Sequence, residues 1–96
     1  MKIRLLEEAV ADLIDGYHFY EKQSVGLGAY FLDSLWSDID SLVFFAGVHP
    51  VRLGYYRFLS KRFPFAVYYS IDGDVVQVRA ILDCRRNPAW IRSKLK

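Results

Sequence analysis

The densest chemistry in the chain lies in residues 85–96, where Arg85, Arg86, Arg92, Lys94 and Lys96 set five cations around Trp90. Cations in that density attract anionic partners, either a nucleic acid or an acidic protein segment. Arg57, Arg62 and Arg79 extend the basic character further back along the chain. Residues 52–96 carry ten basic and three acidic side chains, a local charge of +7, whereas residues 7–40 carry eight acidic and one basic. The overall +2 therefore conceals a strong asymmetry between the two halves.

Groups able to exchange protons or hold a metal are sparse. His18 and His49 are far apart and belong to no metal-ligand spacing. Cys84 is the single cysteine, which excludes an internal disulfide and a multi-cysteine metal site; between Asp83 and Arg85 it reads as an ordinary reduced thiol. An unperturbed aspartate such as Asp83, with a pKa of about 3.9, is a poor base and no acid at neutral pH, although burial raises such values. The sequence has no phosphate-cradling glycine loop and no Gly-x-Ser-x-Gly, and Gly26-Leu27-Gly28 lacks the preceding strand and third glycine of a dinucleotide site. No metal or other cofactor is implied.

The elements that must position these residues follow from periodicity. Lys2–Leu6 alternates charged and apolar residues and predicts a half-buried strand. From Glu7 the spacing becomes helical, with Val10, Leu13, Ile14, Tyr17 and Tyr20 expected on the inner face of a helix ending near Gln23. Gly26 and Gly28 break the chain, and a second helix from Ala29 to Phe45 should bury Phe31, Leu32, Leu35, Ile39, Leu42 and Val43. A loop then leads to strands at Tyr55–Ser60, Phe65–Ile71 and Val75–Leu82; the last should set Val76, Val78, Ala80 and Leu82 on one side. Asp72-Gly73 predicts a type I′ hairpin turn, and Asn87-Pro88 predicts a capped helix over the tail. The expected fold class is α+β in the order β-α-α-β-β-β-α, with a helical hairpin packed on a small antiparallel sheet. Residues 1–96 read as a single domain. The tail lies beyond the last predicted strand, so its removal should leave the sheet largely intact.

No apolar run is long enough to span a bilayer and no leader-like segment opens the chain, so the sequence reads as cytoplasmic, with no membrane partner. Its 96 residues should bury only about 60 to 65% of the unfolded surface, which is little room for sixteen aromatic side chains. Some of them are expected to face a partner protein.

Four sequence segments carry a resemblance. Ala11-Asp12-Leu13 with Phe19-Tyr20-Glu21, Gly26-Leu27-Gly28 with Phe31, Lys61–Tyr69, and Asp83–Trp90 occur in the order and at the intervals of the RelE/ParE toxins. In this respect nearly the whole chain resembles that superfamily, and the ParE-like branch more than the RelE-like one. The resemblance implies a toxin of a type II toxin–antitoxin system, a growth inhibitor of the plasmid-stabilization kind held by a cognate antitoxin. Its members divide into DNA gyrase inhibitors and ribosome-dependent messenger-RNA endonucleases.

The side chains favour the first. The nuclease branch has an arginine early in the third predicted strand, where this chain has Phe65, Ala66 and Val67. Trp90 stands where several nucleases have a tyrosine, and indole does not titrate. Asp83 stands where many relatives have a histidine. No catalytic residue is therefore assigned. Arg85, Arg86, Trp90 and Arg92 are the expected target-binding set. Arg57, Arg62, Phe63 and Arg79 are the expected antitoxin-binding set, beside apolar anchors that take an amphipathic helix or an added strand. The alternatives are an endonuclease using Arg57, Arg62, Asp83 and Arg86 on ribosome-bound message, and a decayed, non-toxic binding module.

Overall fold

In the computed structural model, which describes all of residues 1–96, a meander rich in β-branched and aromatic residues forms the centre. β3 (Tyr55–Leu59), β4 (Phe65–Asp72) and β5 (Val75–Asp83) are antiparallel neighbours. β1 (Lys2–Leu5) lies on the far side of β5, and β2 (Val51–Arg52) on the far side of β3, giving the order β1-β5-β4-β3-β2. β1 runs parallel to β5, pairing Ile3 with Val76, so the sheet is mixed where a purely antiparallel one was expected. A parallel pair needs a long crossover, and everything between the two strands supplies it.

α1 (Glu7–Glu21), α2 (Leu27–Asp40) and the short α3 (Leu42–Phe45) cover one face of the sheet. There Phe31, Leu35 and Ile39 pack with Val67, Tyr69, Val76 and Val78 in the main core. α4 (Pro88–Lys94) and the following Leu95 cover part of the opposite face, over Ala66, Tyr68, Ala80 and Leu82. The tail is thus a third layer, and deleting residues 85–96 would uncover a second core, contrary to the expectation that the sheet would not notice. No helix is long and apolar enough to cross a membrane.

Three local departures from the periodic reading have physical causes. α1 is rolled, so that Ala9, Asp12, Leu13, Gly16 and Tyr20 face inward while Val10 and Ile14 are about half exposed. Small residues on the inner face let α2 approach; a Cβ on Gly16 would lie 2.5 Å from the Phe31 ring. α2 stops at Ser41, whose Oγ donates to the Asp38 carbonyl at 2.6 Å, and α3 follows as a separate short helix rather than as part of one helix to Phe45. A bulge opposite Tyr68 and Tyr69 takes up Arg79, so Val76 and Val78 face the helical layer but Ala80 and Leu82 face α4.

The turns differ as well. Asp72 ends β4 and pairs with Val75, leaving Gly73-Asp74 as the loop with positive φ at Gly73 alone, the pattern of a type II′ turn. β2, unexpected from sequence, is joined to β3 by Leu53-Gly54, both left-handed, with φ of 56° and 84°. Leucine in that region costs roughly 1–2 kcal/mol.

Two substitutions test these accounts by urea denaturation. Leu53→Asn, which suits the left-handed turn, should raise stability by about 0.5–1 kcal/mol. Gly16→Ala should lower it by roughly 1–3 kcal/mol, because overpacking against a fully buried ring outweighs the gain in helix propensity.

Candidate functional site

The turn between β5 and α4 is built by two side-chain caps. Asp83 Oδ1 accepts the Arg85 N–H at 2.8 Å, and Asn87 Oδ1 accepts the Ala89 N–H at 2.7 Å, with Pro88 opening α4. The Arg85 guanidinium folds back on the same aspartate, with Nε 3.0 Å from Oδ1 and Nη2 2.8 Å from Oδ2. Nη2 also reaches the Tyr20 hydroxyl on α1, at 3.5 Å. These hydrogen bonds hold the Asp83 carboxyl below its ordinary pKa and outweigh the effect of burial. The rescue by burial that a proton-transfer role would need does not occur.

Arg86 turns the other way and lies over the Trp90 indole, 4.0 Å from the ring centre, with Lys94 Nζ 5.7 Å from it. Such a pairing holds a guanidinium flat and keeps its remaining donors free. Arg86 and Trp90 form one wall of a cleft of about 260 Å³; Asp12 and Phe19 of α1 form the other, and Phe65 and Ile81 its floor.

Asp12 joins these walls. β1 pairs with β5 only as far as Val78, which leaves the outer edge of β5 without a strand from there on. Asp12 Oδ2 fills that place, accepting the Ile81 N–H at 2.9 Å, while Oδ1 faces Lys94 Nζ at 3.9 Å. Burial raises the Asp12 pKa, opposed by the Ile81 hydrogen bond and by Lys94. A second buried carboxylate does the same for α2: Asp38 Oδ2 accepts the Ser60 hydroxyl at 2.6 Å and the Lys61 N–H at 3.3 Å.

Of the expected target-binding set, the structure brings Arg86 and Trp90 together. Arg85 is committed to Asp83 and Tyr20, and Arg92 is exposed on α4. The expected antitoxin-binding residues do not gather into one surface. Arg57 lies beside Cys84, with Nη2 3.8 Å from Sγ, and Arg62 is exposed in the β3–β4 loop. Phe63 packs among Tyr20, Tyr30 and Phe31. Arg79 is bound to Glu8 at 2.6 Å and to the Lys96 carbonyl at 3.2 Å. His18 is exposed, whereas His49 is stacked on Phe58 and hydrogen-bonded to Tyr69; burial lowers its pKa. Sequence reasoning gave Asp12 no role of its own and counted Lys94 only as one cation of the basic tail. The one signal for Asp12 was a carboxylate set among apolar residues in Ala11-Asp12-Leu13.

No protein-family model matches the sequence, and no curated protein matches it. A chain of a solved structure, "Chromosomal ParDE TA system from P. aeruginosa", superposes with a TM-score of 0.72, covering 84% of this chain and 92% of that one at 21% identity. The two chains share one fold. The quoted motifs can now be placed within this fold: the Asp83–Trp90 segment is the turn and helix that carry the cleft's basic wall, and Ala11-Asp12-Leu13 supplies the opposite wall.

Asp12→Ala should cost about 1–3 kcal/mol by leaving the Ile81 N–H without an acceptor, while Asp12→Asn, which keeps an acceptor and removes a buried charge, should stay within about 1 kcal/mol of wild type at neutral pH. The pH dependence separates them further. With its folded pKa above the unfolded value of 3.8, the native state binds the proton first, so Asp12 adds stability as pH falls through its folded pKa towards 3.8. Chemical denaturation across that range should show wild type gaining on Asp12→Asn.

Proposed function

We propose that this chain is the toxin of a type II toxin–antitoxin pair, acting as a ParE-like inhibitor of DNA gyrase by binding rather than by RNA cleavage, and silenced by a cognate antitoxin. The observation that carries the toxin reading is the fold shared with a chain of a ParDE system. The choice of gyrase over message rests on the chemistry of the turn before α4. Cleaving RNA through its 2′-hydroxyl requires groups that take and give a proton. Asp83 is held ionised by Arg85, and Trp90 has no titrating group. The same segment suits recognition: Arg86 lies over the Trp90 ring, with Lys94 close by.

The antitoxin in this reading is an acidic, partly apolar chain. Phe19, Tyr30 and Trp36 are each 44–49% exposed on the helical layer and supply apolar anchors, and Arg62 supplies an exposed cation. The resulting activity is growth inhibition in the cytoplasm, relieved while the antitoxin persists.

An in vitro supercoiling assay with antitoxin-free protein should show inhibition of gyrase. Replacing Arg86 and Trp90 together by alanine should weaken it tenfold or more, roughly 1.4 kcal/mol of binding or above. Primer extension on translated message should show no codon-positioned cuts. Unimpaired gyrase at excess toxin would sink the proposal, and codon-positioned cuts would replace it with the endonuclease.

A further inference from the structure

Paired residues on neighbouring strands share a face, so the register sets side chains in rows across the sheet. Arg4 pairs with Gln77, Gln77 with Ser70, and Arg52 with Tyr55. The pairing of Tyr56 with Tyr69 sets Tyr55 beside Ser70 and completes a row over all five strands: Arg4, Gln77, Ser70, Tyr55, Arg52. One residue along, Ile3, Val76, Tyr69 and Tyr56 point into the helical layer, so this row lies on the opposite face. α4 stands farther along that face, on Ala66, Tyr68, Ala80 and Leu82, with Tyr55 packed at its margin. Arg4 and Arg52 are exposed, and Gln77, Ser70 and Tyr55 are half-buried.

The row is polar throughout and its charge is of one sign. Alternation brings Lys2 and Arg57 to the same face, two residues from Arg4 and from Tyr55. None of these four cations takes part in an ion pair within the chain. Arg52 Nη1 donates only to the Val51 carbonyl, at 3.0 Å, and Arg57 Nη2 lies 3.8 Å from Cys84 Sγ. The side chains of Arg4, Gln77, Ser70 and Tyr55 make no hydrogen bond inside the protein. Against the four cations, alternation adds one carboxylate to this part of the face, Asp72 at the hairpin end of β4.

Arginine, lysine, glutamine, serine and tyrosine are the side chains that hold DNA phosphates. An acidic protein partner needs large apolar anchors to bind tightly, and the row contains none. A single strand needs aromatic faces for its unpaired bases, whereas Tyr55 is the row's one ring and is half-buried. A duplex needs only cations and donors in a fixed line. Four gaps between strands span about 19 Å, the rise of five or six base pairs at roughly 3.4 Å each.

We propose that this row, with Lys2 and Arg57, binds the sugar–phosphate backbone of duplex DNA without regard to sequence. The proposal does not rest on the gyrase reading. Fluorescence anisotropy of a labelled duplex of about 20 base pairs, titrated with the full chain at low salt, should give a dissociation constant of about 1–100 μM. Its logarithm should rise with the logarithm of salt concentration with a slope of about 3 to 4, for four phosphates neutralised. Arg4→Gln and Arg52→Gln should each lower that slope by about one. Gln77→Glu, which sets a carboxylate in mid-row, should weaken binding tenfold or more; circular dichroism checks that each variant is folded, and the two edge variants decide if this one is not. Arg62→Gln in the β3–β4 loop and Arg92→Gln on α4 should leave both affinity and slope unchanged. No binding at low salt, or binding that survives the row variants and is lost in Arg62→Gln or Arg92→Gln, would overturn the proposal. Equal affinity for poly-L-glutamate, or tighter binding of the single-stranded oligonucleotide, would overturn it as well, giving the face to an acidic protein in the first case and to an unpaired strand in the second.

Discussion

The hydrogen bond from the Ile81 N–H to Asp12 is the constraint on which the arrangement turns. β1 is only four residues long, and past its end the edge of β5 would be a buried row of unpaired backbone groups. A carboxylate on the inner face of α1 fills the vacancy, which sets the roll of that helix about its axis. With Asp12 inward, Ala9 and Gly16 also face inward, Phe31 closes over Gly16, and Val10 and Ile14 are left outside. Asp38 fastens α2 to the β3–β4 connection in the same manner. Each long helix is therefore held to sheet or loop backbone by a buried acid as well as by apolar contact, and a hydrogen bond fixes a rotation that apolar contact alone leaves loose.

The same two residues explain what the sequence does and does not disclose. Strand order within the meander, the helical hairpin and the Asn87-Pro88 cap were legible because each rests on a local preference: alternation, 3.6-residue spacing, a capping side chain. The inner face of α1 was misread because counting apolar residues selects Val10 and Ile14, and the winning contact is polar and reaches from residue 12 to residue 81. The bulge at Arg79 reversed the facing of Ala80 and Leu82 for a comparable reason. The extra residue lets Arg79 meet Glu8 and the Lys96 carbonyl, partners near opposite ends of the chain. Of the site, the basic segment and Trp90 were legible as composition. Their division into a clamp, Arg85 on Asp83, and a stack, Arg86 on Trp90, depends on turn geometry that composition does not carry.

Charge is distributed in space less starkly than along the chain. Two of the eight acids in residues 7–40 are consumed as helix anchors, and Glu8 neutralises Arg79. Lys94 leans toward Asp12 at 3.9 Å. Of the ten basic side chains in residues 52–96, only Arg79, Arg85 and Lys94 face an acid, so the surface field is carried by fewer residues than the count suggests.

The parallel pairing of β1 with β5 also sets a timetable. Ile3 is made early, yet its partner Val76 follows long after it, and the acceptor on Asp12 waits 69 residues for Ile81. No local element can substitute, because contacts of such sequence separation close only after the intervening chain exists. The nascent polypeptide therefore carries its helical hairpin with the inner face uncovered until β5 has been made. Translation is thus a period of exposed apolar surface and an unassembled cleft, which closes only when β5 and α4 reach α1.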